Sequence, residues 1–378
     1  MPMSVQPRPG QEETENTPEN ALALVRRNID EIDDALLRLL CQRAQCAQTI
    51  GALKNGAIYR PEREAQVLRR ILEGNPGPLP HETVRRIFRE IMSACLALEQ
   101  PLKIAYLGPA GTFTEAAALR HFGTAPCFLS ASTIDDVFRM VESGHADYGV
   151  VPVENSTEGA VGRTLDLLLK SPLMICGEIL LPVHQNLLAK PGMAMADLRT
   201  VYSHAQSFAQ CHEWLGRHLP GIRCDTVSSN AEAARLAATQ DYAGALAGET
   251  AAQHYGLTVL AASIEDEPDN TTRFIVLAAH DAGISGDDRT SLVCSAHNHA
   301  GAVHDLLTPF KTHGVSMTKL ESRPARALGN SRWEYVFYID VEGHRSGPAL
   351  TRALDALQQQ ASYLKVLGSY PRCAAPPI

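Results

Sequence analysis

The sequence of 378 residues predicts a multidomain protein with three architectures in series. These are an all-α segment over residues 20–100, a two-lobed α/β segment over 101–280 and an α+β unit over 288–378. Three observations carry this prediction. Up to about residue 100, apolar residues recur every three or four positions, the helical period. From Pro101 short apolar runs alternate with helical stretches, the pattern of a parallel sheet. Beyond a polar linker, Gly283 to Asp288, the order becomes strand, helix, strand, strand, helix, strand. The length alone calls for two or three domains. Residues 1–19 are acidic and Pro-bearing and read as a disordered tail.

Composition removes several function classes. Hydrophobic residues make up 45% and charged residues 20%, a globular balance. No apolar run approaches the roughly 18 residues needed to span a bilayer, so no membrane association is expected. The opening residues lack the apolar core of a signal peptide. The net charge of −8 combines an acidic tail, a slightly basic helical segment and an acidic remainder. No part is basic enough to suggest nucleic acid. The nine cysteines are scattered without a C-x-x-C pair, which argues against a disulfide framework or a zinc module. A reducing cytoplasm is the simplest location.

In the helical segment Leu22, Val25, Ile29, Ile32, Leu36 and Leu39/Leu40 share one face, and the pattern continues to Ile50 and Leu53. This predicts one long amphipathic helix. Pro61 suits the first turn of a second helix, which stops at the breaker Gly74 to Pro78. A third helix is expected from about His81 to Glu99. Arg26 and Arg43 stand 17 residues apart, about 25 Å along a helix, so they cannot hold one small molecule from the same helix. Arg43 and Lys54 share a face at about 16 Å. Arg60, Arg63 and Glu64 surround the start of the second helix. Cys95 and Glu99, four apart, share a face of the third.

The run LVRRNIDEIDDALLRLLCQRA, then Lys54, then YRPEREAQVL, resembles the helical chorismate mutase domain. That fold is an intertwined dimer in which the long helix of one chain lends an Arg to the other chain's site. A homodimer or higher homo-oligomer is therefore expected, and it accommodates the Arg26–Arg43 separation. The resemblance implies that Arg26 from the partner chain, Arg43 and Arg63 bind the two carboxylates. Lys54 would polarise the breaking ether oxygen, Glu64 would take the substrate hydroxyl, and Glu99 would sit at the other side of the ether oxygen. Arg60 stands where the family often has an acidic residue, Cys95 where a Ser is usual, and Glu99 where a Gln is common. Arg60 and Cys95 are counted with the substrate-binding set. The reaction is a one-step Claisen rearrangement without a nucleophile or cofactor. The enzyme holds a compact conformer and stabilises charge growing on the ether oxygen. That oxygen only accepts, so a Glu99 facing it must carry a proton in the working state.

In the α/β segment the strands Lys103–Leu107, Cys127–Ser130 and Tyr148–Val153 alternate with helices, the first within GPAGTFTEAAALRHF and the second at Ile134–Glu142. The polar cluster Glu154 to Gly159 then precedes a helix with Val161, Leu165 and Leu168 on one face. Ligands of open α/β sheets bind at such strand ends, and a helix start favours an anion. The turn Gly108-Pro109-Ala110-Gly111 is not G-x-G-x-x-G, and Pro109 removes an amide, which argues against a dinucleotide. A second block has strands Thr200–Ser203, Cys224–Val227 and Gly244–Ala247, with helices at about Gln206–Leu219 and Ala231–Thr239. The chain returns through Asp269 to Phe274 into the strand Ile275–Ala278. Two lobes joined by crossing strands resemble the periplasmic-binding-protein layout, with a ligand cleft between lobes. A sensor that binds without reacting is thus the rival function.

GPAGTFTEAA, VPVENSTEG, YSHAQSF and NTTRF, in that order, resemble prephenate dehydratase. The resemblance implies that Asn155, Gln206 and Thr272 carry the reaction, with Thr272 nearest the departing hydroxyl. It gives Thr112 and Arg273 to carboxylate binding. Loss of carbon dioxide and water makes an aromatic ring, so the enzyme mainly helps the hydroxide leave. A Thr hydroxyl donates a hydrogen bond but is a poor acid. Thr272 is therefore expected to donate to the leaving oxygen while a water or a neighbour returns a proton.

The last segment has strands Thr290–Ala296, Val315–Glu321, Trp333–Val341 and Tyr363–Tyr370, with helices at about Gly301–Thr312 and Pro348–Gln359. This ferredoxin-like order resembles an ACT regulatory domain, which binds amino acids where two copies meet. Gly301, Ala302, Val303 and His304 stand at that family's Gly-Ala-Leu-Val effector motif, and Glu321, Ser322, Arg323 and Pro324 match its partner motif. The resemblance implies phenylalanine as effector. His297, His299, His304 and His313 lack carboxylate or thiolate partners at ligand spacing, and no metal is expected. The sequence thus points to a bifunctional cytoplasmic enzyme of phenylalanine biosynthesis. It would take chorismate to prephenate and on to phenylpyruvate, without a cofactor and under phenylalanine control.

Overall fold

A computed structural model describes residues 18–53, 59–296, 299–324 and 335–373. Lys54, His297, Trp333 and residues 1–17 of the tail lie outside them. The chain divides into two units, one ending at Asn55 and one beginning at Gly56. The first is helix α1 (Pro18–Leu53), 36 residues long, which opens on a proline and buries none of its residues. Leu22, Val25, Ile29, Ile32, Leu36 and Leu39 are each at least half exposed. A stripe of this length and polarity contrast is a surface for another helix.

In the second unit, α2 (Pro61–Glu73) has its proline in the first turn, and α3 (His81–Ala97) follows. Both belong to the larger unit. Tyr59, just before α2, is buried against His121, Phe122 and Tyr148. Arg89 donates to the Arg120 carbonyl at 2.7 Å, and Arg69 to that of Ser285 at 3.2 Å. Helix α3 stops two residues before Glu99, whose N–H bonds the Leu96 carbonyl in a turn.

The first lobe runs β1 (Lys103–Leu107), α4 (Phe113–Phe122), β2 (Cys127–Ala131), α5 (Ile134–Glu142), β3 (Tyr148–Asn155), β4 (Gly159–Ala160), α6 (Gly162–Lys170) and β5 (Met174–Pro182). The second runs β6 (Asn186–Ala189), β7 (Thr200–Ser203), α7 (Ala205–Gln210), α8 (His212–His218), β8 (Arg223–Thr226), α9 (Asn230–Thr239), β9 (Ala243–Ala247), α10 (Glu249–Tyr255) and β10 (Thr258–Ala261). The chain then returns to the first lobe as β11 (Thr271–Ala278). The sheet orders are β2-β1-β3-β11-β5, with β4 on β3, and β10-β6-β9-β7-β8. Strand β11 runs antiparallel between β3 and β5. Its apolar run is shielded on both sides, as a central strand requires. Strands β5, β6 and β10 were not expected, because none is followed by the helical period that marks a β-α unit. The expected helix Gln206–Leu219 is two helices, broken at Cys211.

The last unit has β12 (Asp288–Ser295), α11 (Ala302–Thr312), β13 (Met317–Pro324), β14 (Tyr335–Glu342), α12 (Pro348–Gln360) and β15 (Tyr363–Pro371). Its antiparallel sheet has the order β13-β14-β12-β15. Helices α11 and α12 cover one face through Leu306, Phe310, Leu350 and Leu357. On the other face Val293, Val336, Tyr338 and Leu367 join Leu165, Leu168 and Ile175 of the first lobe in one apolar core. Gly368 marks the closest approach, since a Cβ there would fall 2.0 Å from the Ile175 carbonyl oxygen. The segment Gly283 to Asp288 is no loose linker. The buried Asp288 carboxylate accepts from the N–H groups of Ser285 and Gly286 and from the Ser285 hydroxyl. Such a loop self-bonds because its two ends are both anchored in strands.

Candidate active sites

The two α/β lobes enclose a cleft of about 500 Å³. From the first lobe Thr112, Pro152, Asn155, Thr272 and Phe274 reach it, and from the second Gln185, Gln206, Ser207 and Asn230. Asn155 ends β3 opposite Thr272 of β11 in strand register. The turn after β3 bends back onto Asn155. Its Oδ1 accepts from the Thr157 N–H (3.1 Å), the Thr157 hydroxyl (2.6 Å) and the Glu158 N–H (3.1 Å). An oxygen so engaged fixes which end of the amide is the donor. Nδ2 therefore donates to Thr272 Oγ1 at 2.9 Å and to Asn270 Oδ1 at 2.8 Å. The Thr272 oxygen has accepted one bond and keeps its proton to give.

The same reasoning fixes Asn270, whose oxygen is turned to Asn155. Its Nδ2 is buried with no partner among the described residues. Across the cleft Asn230 is a second amide hub. Its Oδ1 accepts from the hydroxyls of Ser203 and Ser207 and from the His204 N–H. Its Nδ2 donates to Gln185 Oε1 at 3.3 Å. This orders the start of α7, where Gln206 lines the cleft and bonds its N–H to the His204 side chain. The sequence reading missed Asn230, Gln185, Ser207 and Asn270. Two of them had a signal, Asn270 as the first residue of NTTRF and Ser207 within YSHAQSF.

Two expected carboxylate binders are otherwise occupied. Thr112 caps α4. Its hydroxyl donates to the Leu107 carbonyl at 3.0 Å and accepts from the Glu115 N–H, so its proton is committed. Arg273 does not line the cleft. It is buried, with Nε on Glu178 at 2.9 Å, Nη1 on Asp340 at 2.5 Å and Nη2 on the Tyr370 hydroxyl at 2.8 Å. A buried guanidinium needs such a full set of acceptors, and the third sheet provides two of them.

The residues of the helical segment are distributed over both units. Arg26 and Arg43 lie on α1, the first exposed and the second half-buried. Arg60 precedes α2, and its carbonyl accepts from the N–H groups of Arg63 and Glu64 at 3.1 Å each. Arg63 is exposed. Glu64 lies 3.4 Å from Arg89 in a second cavity of about 470 Å³, lined also by Leu68, Arg69 and Arg85. Burial pushes its carboxyl above the usual range against the pull of Arg89. Cys95 is buried on α3, and Glu99 Oε2 is buried without a partner among the described residues. Lys54 lies outside the described residues.

In the last unit Gly301 takes a left-handed conformation (φ 84°) as the N-cap of α11, which begins with Ala302 and a partly exposed Val303. Glu321, Ser322, Arg323 and Pro324 end the edge strand β13. Among the described residues no cluster of three His, Cys, Asp or Glu side chains could hold a metal ion. None of their helices is long and apolar enough to cross a membrane.

Three family models match the chain: chorismate mutase type II over residues 25–100, prephenate dehydratase over 104–282 and the ACT domain over 290–359. A bifunctional chorismate mutase/prephenate dehydratase of Neisseria gonorrhoeae is 56% identical over 349 residues, 92% of this chain and 96% of that protein. The protein of the same description from Pseudomonas aeruginosa is 48% identical over 362 residues, 94% and 98% of the two chains. Among solved structures, prephenate dehydratase from Arthrobacter aurescens in complex with L-Phe is 35% identical with a TM-score of 0.66, covering 72% of this chain and 90% of that one. The chain belongs to the bifunctional chorismate mutase/prephenate dehydratase family.

Proposed function

We propose that the cleft between the α/β lobes is where prephenate loses carbon dioxide and water, with Thr272 donating to the departing hydroxyl. The observation that carries this is the Asn155–Thr272 hydrogen bond of 2.9 Å. It occupies a lone pair of Thr272 and leaves the hydroxyl proton to point at the substrate. As carbon dioxide leaves C1, its bonding electrons enter the ring and the C4–O bond breaks. The hydroxide takes up a proton and departs as water. Thr272 stabilises the charge growing on that oxygen, which is worth most in a cleft shielded from water. Gln206 holds the substrate from the second lobe. The free N–H groups in the first turn of α4, beside Thr112, suit a substrate carboxylate better than the committed Thr112 hydroxyl.

By the family resemblance, the chorismate mutase activity falls to Arg43, Lys54, Arg63, Glu64 and Glu99, completed by Arg26 of a second chain. The exposed apolar stripe of α1 supports that dimer. Phenylalanine acts on the ferredoxin-like unit at Gly301–Val303 and Glu321–Pro324, and the L-Phe complex of the Arthrobacter protein supports this choice of effector. Among the described residues no two cysteines form a disulfide, which supports a reducing, cytoplasmic location.

The test is to supply chorismate alone and follow prephenate and phenylpyruvate together. Transient prephenate followed by phenylpyruvate, slowed by phenylalanine, is expected. Binding of prephenate without turnover would favour a sensor instead.

A further inference from the structure

Asn155 and Thr272 each have a charged neighbour in the same register. Glu154 precedes Asn155, Arg273 follows Thr272, and the two pair across β3 and β11. Alternation along a strand turns these neighbours away from the cleft when Asn155 and Thr272 face it. A register irregularity follows at Arg273/Phe274, just beyond this pair. The third sheet takes up both charges. Lys319 Nζ lies 2.8 Å from Glu154 Oε2, and Asp340 and Tyr370 hold Arg273.

Lys319 belongs to β13, the strand that ends in Glu321–Pro324. Along β13 the residues Lys319, Glu321 and Arg323 are half-buried, while Thr318, Leu320 and Ser322 are exposed. Arg323 lies over the start of α6. A Cβ on Gly162 would fall 2.6 Å from its Nη1, and its Nη2 is 3.5 Å from Asp166. The residues just before α6, Gly159 to Val161, line the cleft. One face of β13 therefore contacts Glu154 and Gly162, each next in sequence to a residue of the cleft wall, and its other face is open.

We propose that Lys319 and Arg323 are positioning residues of the dehydratase. Lys319 holds Glu154, and with it Asn155, while Arg323 holds the start of α6. A ligand seated on the open face of β13 then changes turnover by shifting this strand and both contacts with it. The proposal rests on the reading of the cleft as the dehydratase site and of β13 as part of the effector site.

The experiment uses the full chain with Lys319→Met, Lys319→Arg and Gly162→Ala. The last adds one methyl where the Arg323 guanidinium lies and displaces that contact without altering Arg323. Dehydratase kcat, KM for prephenate, the phenylalanine concentration for half-inhibition, mutase rate and thermal midpoint are measured together. Lys319→Met is expected to lower kcat about tenfold with KM changed less than about twofold, the signature of lost transition-state positioning. It should also shift the half-inhibiting phenylalanine concentration by about fivefold or more, a coupling change of ordinary size. Lys319→Arg should recover both, Gly162→Ala should shift the phenylalanine response, and the mutase should stay at wild-type rate. Wild-type kcat and phenylalanine response in both Lys319→Met and Gly162→Ala would overturn the proposal. So would a loss that tracks the folded fraction or lowers the mutase equally. If the unmodified chain turns over no prephenate, the reading of the cleft fails instead, and the two failures are told apart.

Discussion

Thr272→Val isolates the proposed hydrogen bond to the leaving hydroxyl. Valine keeps the β-branched shape that suits β11 and replaces only the hydroxyl by a methyl. Two effects follow from the geometry. In the free enzyme Asn155 Nδ2 loses its 2.9 Å bond to Thr272 and keeps that to Asn270, at a stability cost of about 1 kcal/mol. A change of that size lowers the thermal midpoint by only about 2–4 °C, so the protein remains folded at assay temperature. In the transition state one preorganised donor to a developing oxyanion is lost, worth about 10²–10³ in kcat. Thr272→Ser restores the hydroxyl and should recover most of the rate. The assay is phenylpyruvate formation from prephenate, with mutase turnover of the same sample as internal control. Thr272→Val with more than about a tenth of wild-type kcat would refute the role given to this hydroxyl.

Asp340 gives a pH prediction. Burial works against its charge, but Arg273 and the Ser291 hydrogen bond outweigh burial and hold the carboxyl below the usual range. A depressed carboxylate contributes stability above its unfolded pKa of about 3.9, and that contribution is lost as pH falls through the folded value. Asp340→Asn should destabilise the chain at pH 7 by about 3 kcal/mol and flatten the acid limb of the melting profile below about pH 4. Parallel profiles would show that Asp340 does not carry this dependence. Glu99→Gln keeps a donor at this position and should keep most mutase turnover, whereas Glu99→Leu should lose most of it. Equal mutase turnover in the two variants would remove Glu99 from the site. Mixing Arg26→Ala and Arg43→Ala chains under subunit exchange should restore part of the mutase activity, since one site per heterodimer keeps both arginines. No recovery in verified heterodimers would mean that each site is built from one chain.

Much of the fold was legible because the chain declares its periods. The switch at Pro101 from one sustained helical period to short continuous apolar runs between helical stretches, with Gly and Pro at the turns, located α4, α5, α9 and the strands between them. The cleft residues Asn155, Gln206 and Thr272 were legible as a set through the motifs that resemble prephenate dehydratase. Tertiary structure decided what those side chains do. The orientation of the Asn155 amide comes from a local turn, but its effect on Thr272 crosses 117 residues of sequence. Arg273, in the NTTRF motif, was given to carboxylate binding by the resemblance. Its acceptors lie 95, 67 and 97 residues away in Glu178, Asp340 and Tyr370. Likewise β13 reads in the sequence as an effector strand, and only folding shows that its alternate face is seated on Glu154 and Gly162. Periodicity is a property of neighbours in sequence. The fate of a buried charge is set by whichever distant groups reach it first, because an unpaired charge cannot stay buried.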